Sequence, residues 1–445
     1  MMARRLEYQS LQAVLLHMEA DVRFQISFHM PSIRSVEKMI PLKISSFDMD
    51  DDGTNVNDTS FRVGIVRYIP EGNAPWPIRT RLREDGCEYD YDKFGFPVEF
   101  GNNILLPGDV SFQREENHVQ QRYDTIRYER FYGASLKAQE KALNKLESEG
   151  GIVNNCDRQF KCVPEEERQG EGSAAGTALS CRCLQNSIET WKLKLLPFDC
   201  RRNNTKHPFT CYIQVTATKG KIKQTQRFEY NKKLFEASKH LHEVLFGDRP
   251  MPIRVRDFSL SHDKICRFPI GFRLQIHKAR LNCLTVSHKS FPLIMDSSET
   301  LNTLEIHGSE LQPDAFKGQI VRDARRLVIA DPDEHELDIL TAIIRDLPNR
   351  EICILPVGND FSPQCYIAIM QAWLDGERPV GSSLWMKTPE TTASHVLGLM
   401  MTRYENSKRT ERCITVGLSN STRLHASFDR FQETSWVLKM SITQV

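Results

Sequence analysis

The sequence predicts a mixed α+β and α/β chain: a short helical opening, a β-hairpin-rich middle and an irregular repeat-like α/β C-terminal half. Three observations predict it. Apolar residues fall at helical spacing over 11–22, hairpin signals recur near 42–68 and 210–230, and short apolar triplets return at regular intervals beyond position 300. At 445 residues the chain is long enough for two or three packed units.

In the opening segment, Leu11, Val14, Leu15, Met18 and Val22 lie at i, i+3, i+4, i+7 and i+11, which is one stripe of a helix. Phe24, Ile26, Phe28 and Met30 alternate like a strand but also suit a second short helix. Pro31-Ser32 then reads as a helix start with Ser32 as its cap, followed by Ile33, Val36 and Ile40.

Residues 41–112 read as a β-rich module. LKISSFDM, the turn Asp51-Asp52-Gly53 and FRVGIVRY suggest strand, turn and strand. Residues 113–148 form a charged segment in which RYERFYGASLKAQEKALNKLESE is a surface helix. Residues 149–189 are charged and Gly-rich, with too few large apolar side chains for a core, so they read as a flexible linker or insertion.

Residues 190–445 form the α/β domain. CYIQVTAT and KIKQTQRFEY flank Lys219-Gly220 as a hairpin, with Ile213, Val215 and Ala217 on one face. A helix follows, carrying Leu234, Ala237, Leu241 and Leu245 and ending before Gly247. The triplets Leu304-Glu305-Ile306, Leu327-Val328-Ile329, Ile352-Cys353-Ile354 and Leu384-Trp385-Met386 recur at steps of 23, 25 and 32 residues, with helical patterns at 335–347 and 363–376 between them. Such alternation suggests stacked strand–helix units resembling an irregular leucine-rich repeat, or an open α/β sheet with right-handed crossovers.

Lys plus Arg number 59 against 58 Asp plus Glu, so no global field draws the chain to nucleic acid or an anionic membrane. Met1–Ser10 lead into no apolar run of signal length, and no stretch spans a bilayer, so the expected location is cytoplasmic or nuclear, with the cysteines reduced.

Several chemical motifs fail on spacing. Asp48-x-Asp50-x-Asp52-Gly53 begins a calcium loop, but Thr59 stands where the bidentate Glu belongs. Cys156, Cys162, Cys181 and Cys183 lack zinc-knuckle spacing. Asp331–Glu336 reads as carboxylates at a helix start rather than an acid/base set. Gly170, Gly172 and Gly176 lack the Lys-Ser/Thr of a phosphate loop. Lys219, Lys221, Lys223, Arg227, Lys232 and Lys233, interleaved with Phe228 and Tyr230, read first as a solvated hairpin face and only second as a nucleic-acid contact. No catalytic, metal or cofactor-binding motif is readable.

PSIRSVEKMIPLKI (31–44), NDTSFRVGIVR (57–67), GNNILLPGDV (101–110), LPFDCRRNN…HPFTCYIQVTA (196–217), YNKKLFEA…LFG (230–247), IAIMQAWLDGERPVGS (367–382) and SWVLKMSI (435–442) together resemble, in order, the nematode F-box C family, with Val380 replacing an Ile of its Trp- and Gly-containing segment. Members carry a nematode-expanded F-box-associated domain of unknown function. The resemblance covers about residues 6–148 and 190–445. It implies that residues 6–40 are a degenerate F-box-like unit whose Leu11, Val14, Leu15, Met18 and Val22 dock on a Skp-type adaptor of a cullin-RING ubiquitin ligase, while the rest presents an unknown protein substrate. Leu6-Glu7-Tyr8-Gln9 replaces the Leu-Pro start of an F-box. The alternatives are an interaction domain without adaptor binding, its stripe packed into the core, and an enzyme whose active site is dispersed along the sequence.

Overall fold

The computed structural model describes residues 8–50, 53–69, 75–83, 85–98, 104–112, 125–148, 173–260, 265–282, 289–296, 301–307, 311–356, 361–405, 407–419, 421–432 and 435–444. Contacts divide the chain into two compact units, one of Met1–Phe61, Asn103–Glu116 and Lys239–Val445, the other of Arg62–Asn102 and Asn117–Ser238. In chain order the strands are β1 (Lys43–Asp50), β2 (Gly53–Val56), β3 (Thr59–Tyr68), β4 (Asp90–Tyr91), β5 (Pro97–Val98), β6 (Val110–Ser111), β7 (Thr210–Lys219), β8 (Ile222–Glu229) and β9 (Ile253–Leu260). They continue as β10 (Ile265–Cys266), β11 (Leu274–Leu281), β12 (Thr303–His307), β13 (Arg326–Ala330), β14 (Glu351–Leu355), β15 (Ser383–Thr388), β16 (Ser407–Arg409), β17 (Cys413–Gly417), β18 (Thr422–Gln432) and β19 (Ser435–Gln444).

The first unit is built on one mixed sheet ordered β16-β17-β18-β19-β15-β14-β13-β12-β11-β9-β1-β2, with Thr59–Phe61 of β3 beside β2. All four apolar triplets are strands, β12 to β15, and they pair in parallel with matched register. Phe47, Phe258, Ala279, Leu304, Leu327, Ile352 and Leu384 form one inward row across β1, β9 and β11–β15. Met49, Leu260, Leu281, Ile306, Ile329, Ile354 and Met386 form the next, and no side chain in either row is more than 4% exposed. Each such burial stabilises by roughly 1.5–3 kcal/mol relative to an exposed side chain.

Strands β11 to β15 are added in one direction across the sheet, so right-handed crossovers put their connecting helices on a single face. Leu337–Asp346 buries Leu340, Ile343 and Ile344 there, Pro363–Asp375 buries Tyr366, Ile369, Met370 and Trp373, and Glu390–Arg403 buries Ala393, Val396, Leu397 and Met400. Two of these helices end on one side chain. Arg378 donates to the carbonyls of Trp373, Ile344, Arg345 and Leu347, at the C-terminal ends where helix carbonyls run short of backbone donors. Gly376 lets that guanidinium approach, since a Cβ there would stand 2.7 Å from Arg378 Nη2.

The segment read as strand, turn and strand contains three strands. β1 pairs with the short β2, and FRVGIVRY lies in β3, which pairs with β2. The unexpected second turn is made by Asn57, at φ 53°, whose Oδ1 accepts from the Ser45 and Ser46 amides. Asn tolerates this left-handed conformation better than most residues. Asp51 and Asp52 lie outside the described residues.

The second unit holds the rest of β3, the β7–β8 hairpin, β4–β5 and three helices, Trp76–Arg83, Ile126–Ser148 and Ser173–Arg202. Ile126–Ser148 is the charged helix expected at 113–148. Of the stretch read as a linker, 149–172 lies outside the described residues, whereas from Ser173 on it belongs to a 30-residue helix that includes Pro197. That helix is anchored by Ile188, Leu193 and Phe198, which are buried, and by Trp191, which meets the Phe131 ring edge-on and the Tyr132 ring at a tilt. In the hairpin Ile213 is buried as expected, but so are Gln214 and Thr216, which hydrogen-bond each other.

Candidate functional site

The adaptor-contact residues expected from sequence do not form one stripe. The opening is two helices, Tyr8–His17 and Ala20–His29, broken at Met18–Glu19, so Val22 lies on a different helix from Leu11, Val14 and Leu15. Leu15 is buried, Leu11, Met18 and Val22 are half-buried, and Val14 is exposed. Tyr8 and Leu16, which the helical spacing did not single out, are exposed on other faces of the same helix. Ser32 is no cap; it lies within a 3-10 turn, Pro31–Ile33, that leads into Arg34–Lys38.

The rest of the segment is packed into the first unit. Phe24 meets the Phe61 and Phe246 rings edge-on at 6.1 and 5.6 Å. Thr59 donates its hydroxyl to the Asp21 carboxylate at 2.9 Å. Arg23 donates to Glu37 Oε1 at 3.0 Å and to the carbonyls of Glu37, Ile40 and Pro41. Arg249 donates to both oxygens of the same carboxylate, at 3.0 and 2.8 Å, from beyond the helix Leu234–Phe246. The three side chains are 2–4% exposed. Burial lowers both guanidinium pKa values, and Glu37 works against that loss.

Opposite the helices, the sheet presents a second set of side chains fixed by the pleat, since alternate residues of a strand face opposite sides. Across β11 to β15 and β19 one row reads Arg280, Glu305, Val328, Cys353, Trp385 and Lys439. The neighbouring row reads Lys278, Thr303, Arg326, Glu351, Ser383 and Ser441. At the β11–β12 end, Glu305 takes Lys278 at 2.9 Å and Arg280 at 3.0 Å. Burial opposes ionisation of Glu305, but these cations hold its pKa below the ordinary carboxylate value. At the other end the centre is aromatic. Arg326 lies over the Trp385 ring at 5.2 Å and Lys439 at 4.5 Å, while the indole N–H donates to Ser383 Oγ at 3.2 Å. Sequence reading placed Trp385 in an apolar triplet; its neighbours Leu384 and Met386 are core, and Trp385 itself is half-exposed on the opposite face.

Other polar clusters are held by internal bonds, one buried and one at the surface. Lys239 and Arg267 both pair with the buried Asp109, at 2.9 and 2.6 Å, and donate to the carbonyls of Pro107, Phe268 and Ile104. His242 sits beside them, hydrogen-bonded to Thr54 and the Arg267 carbonyl, and burial pushes its pKa down to about 4. In the acidic run, Asp333 caps the turn through the His335 amide, and Glu334 accepts from the Cys365 thiol at 3.0 Å. Burial, then Glu334, push that thiol up, away from a nucleophilic thiolate.

In the second unit the basic run is partly committed: Lys223 pairs with Asp85, Arg227 donates to Gln214, and Lys233 lies over Tyr230. Asp48 and Asp50 are strand residues bonded to Ser46 and Asn55. Cys156 and Cys162 lie outside the described residues. Among the described residues no group of His, Cys, Asp and Glu could hold a metal ion, and no helix is long and apolar enough to cross a membrane.

Comparison with known proteins adds one finding. No curated protein and no solved structure matches the chain. Residues 233–390 match a family described as "Domain of unknown function (DUF3557)", a stretch that runs from the helix Leu234–Phe246 to the end of β15 and so contains the one-directional parallel strands β9 and β11–β15.

Proposed function

We propose that the chain is a protein-interaction protein that contacts its partner through the helix-free face of the first unit's sheet. The observation that carries this reading is the matched parallel register of β11 to β15. It sets two rows of mostly polar side chains, with Trp385 among them and the buried Val328 and Cys353 between its two ends, at fixed steps of about 4.8 Å on a rigid support. Repeated strand–helix units suit binding because they offer wide, pre-organised surfaces. The buried carboxylate Asp109 is committed to Lys239 and Arg267, which favours this reading over catalysis there. The test is affinity capture with wild type, Trp385→Ala, and Arg403→Ala on the outer helix surface, each checked for an unchanged melting curve. Proteins retained by wild type and Arg403→Ala but lost with Trp385→Ala support the reading; identical captures from all three reject it.

A second, narrower reading has its own observation: Tyr8, Val14 and Leu16 are exposed apolar side chains on the first helix. With the F-box C resemblance, this supports reading the chain as an F-box-like receptor whose outer N-terminal helix meets a Skp-type adaptor. Deleting residues 1–40 would remove Arg23 and Glu37 from the core, so that deletion does not separate docking from folding. Val14→Asp with Leu16→Asp does. Adaptor binding abolished in a folded double variant supports this reading, and no adaptor binding by wild type ends it.

A further inference from the structure

We infer that the β13–β15–β19 end of the helix-free sheet face takes an acidic protein segment, centred on Trp385. This rests on the reading of that face as an interaction surface and adds the chemistry of the partner.

The face is electrically uneven. At β11–β12 the cations Lys278 and Arg280 converge on Glu305, so that end is locally neutralised. Toward β19 the compensation stops. Arg326 approaches Glu351 only to 3.8 Å, a loose pair that leaves its guanidinium lying against the Trp385 ring. Lys439, opposite Trp385 in the antiparallel register, rests its ammonium on the ring with no carboxylate partner among the described residues. Lys387, two residues along β15 from Trp385, projects on the same side, again with no ion pair among the described residues. Two cations thus lie on one indole and a third, Lys387, stands two residues along its strand, with Glu351 and, two strands over from Lys387, Asp429 as acids on the same face.

Such an arrangement has the make-up of an interface centre: a large, half-buried aromatic held in one orientation by its Ser383 hydrogen bond, ringed by cations that gain when a carboxylate arrives. Cation–π contacts to a partly exposed ring are weak, so Arg326 and Lys439 can turn from the ring to an incoming carboxylate at small cost. A nucleic-acid strand fits less well. Arg326 from β13 and Lys439 from β19 already lie over the indole, so stacking a base requires displacing both. An acidic segment meets the same repulsion from Glu351, but its carboxylates engage the cations without the ring face being cleared for stacking, while its apolar groups cover the ring edge.

The experiment is fluorescence anisotropy of a labelled ten-residue oligoglutamate peptide with the full chain, beside oligolysine and ten-nucleotide oligothymidylate of the same label. Oligoglutamate should bind, weaken several-fold between low and physiological salt, and lose roughly tenfold in affinity with Lys439→Glu or Lys387→Glu. Lys439→Gln, which adds no repulsion and keeps the fold, should lose less than Lys439→Glu. No binding of oligoglutamate, equal binding by the reversed variants, or preference for oligothymidylate or oligolysine overturns the inference. The parent reading fails separately: if Trp385→Ala abolishes partner capture while the lysine reversals do not, the face binds a partner that is not acidic and only the present inference falls.

Discussion

Glu37 is the single carboxylate between two buried guanidiniums, Arg23 and Arg249, so its loss strands two charges rather than one hydrogen bond. Glu37→Gln should cost about 3–5 kcal/mol in urea unfolding, the range for breaking a buried ion pair. His242 gives a pH prediction with a definite sign. Its folded pKa, about 4, lies below its ordinary 6.5, so between those values the unfolded chain binds the extra proton. Stability therefore falls as pH drops from 6.5 toward 4, by about 3 kcal/mol for this one group. His242→Gln should flatten that segment of the stability–pH curve; a curve of unchanged slope would show that other groups set it. Neither residue was legible beforehand. Arg23 and Glu37 are 14 positions apart and Glu37 and Arg249 are 212 apart, and no periodicity connects partners that only the fold brings together.

Elements were legible in proportion to how local their signal is. The triplets of β12 to β15 were readable because a strand buried in a parallel sheet is a short apolar run bounded by breakers. The helix Ser173–Arg202 was not, because Gly176 and Pro197 are helix-breaking signals and its support comes from distant rings such as Tyr132. The N-terminal segment shows the same limit: its spacing indicated a helix, but not that Leu15 and Phe24 turn inward while Val14 and Leu16 stay out. Phe24→Ala should therefore destabilise by about 3–5 kcal/mol, as for other buried aromatic truncations, whereas Leu16→Asp should leave the melting curve nearly unchanged. At the far end, Arg378→Ala uncovers helix carbonyls and should cost about 2–3 kcal/mol by the same measurement.

At the scale of the whole molecule, mixed α+β architecture followed from the order of patterns, but the split into units did not. The first unit recruits Asn103–Glu116, through Asp109, from between stretches of the second, and a boundary of that kind leaves no change in composition. Protection should differ within each unit. Amides of β13 and β14, paired on both sides and buried, should exchange slowest in the first unit, while β8, whose eight residues are all exposed, should exchange fastest in the strands of the second. Hydrogen exchange resolved by mass spectrometry checks the order; equal rates for β8 and β7 would contradict it.

The antiparallel strands β19, β18, β17 and β16 beside β15 have one more consequence. A parallel array that stopped at β15 would leave Ser383–Thr388 as an unpaired, apolar template for a strand from another molecule. Instead the series closes on β16, three residues long with Lys408 and Arg409 exposed, an edge too short and too charged to recruit a neighbour. Removing residues 405–445 should convert a dispersed chain into one that aggregates with rising concentration and acquires cross-β signal, so these strands act as a guard against self-association as much as a part of the fold.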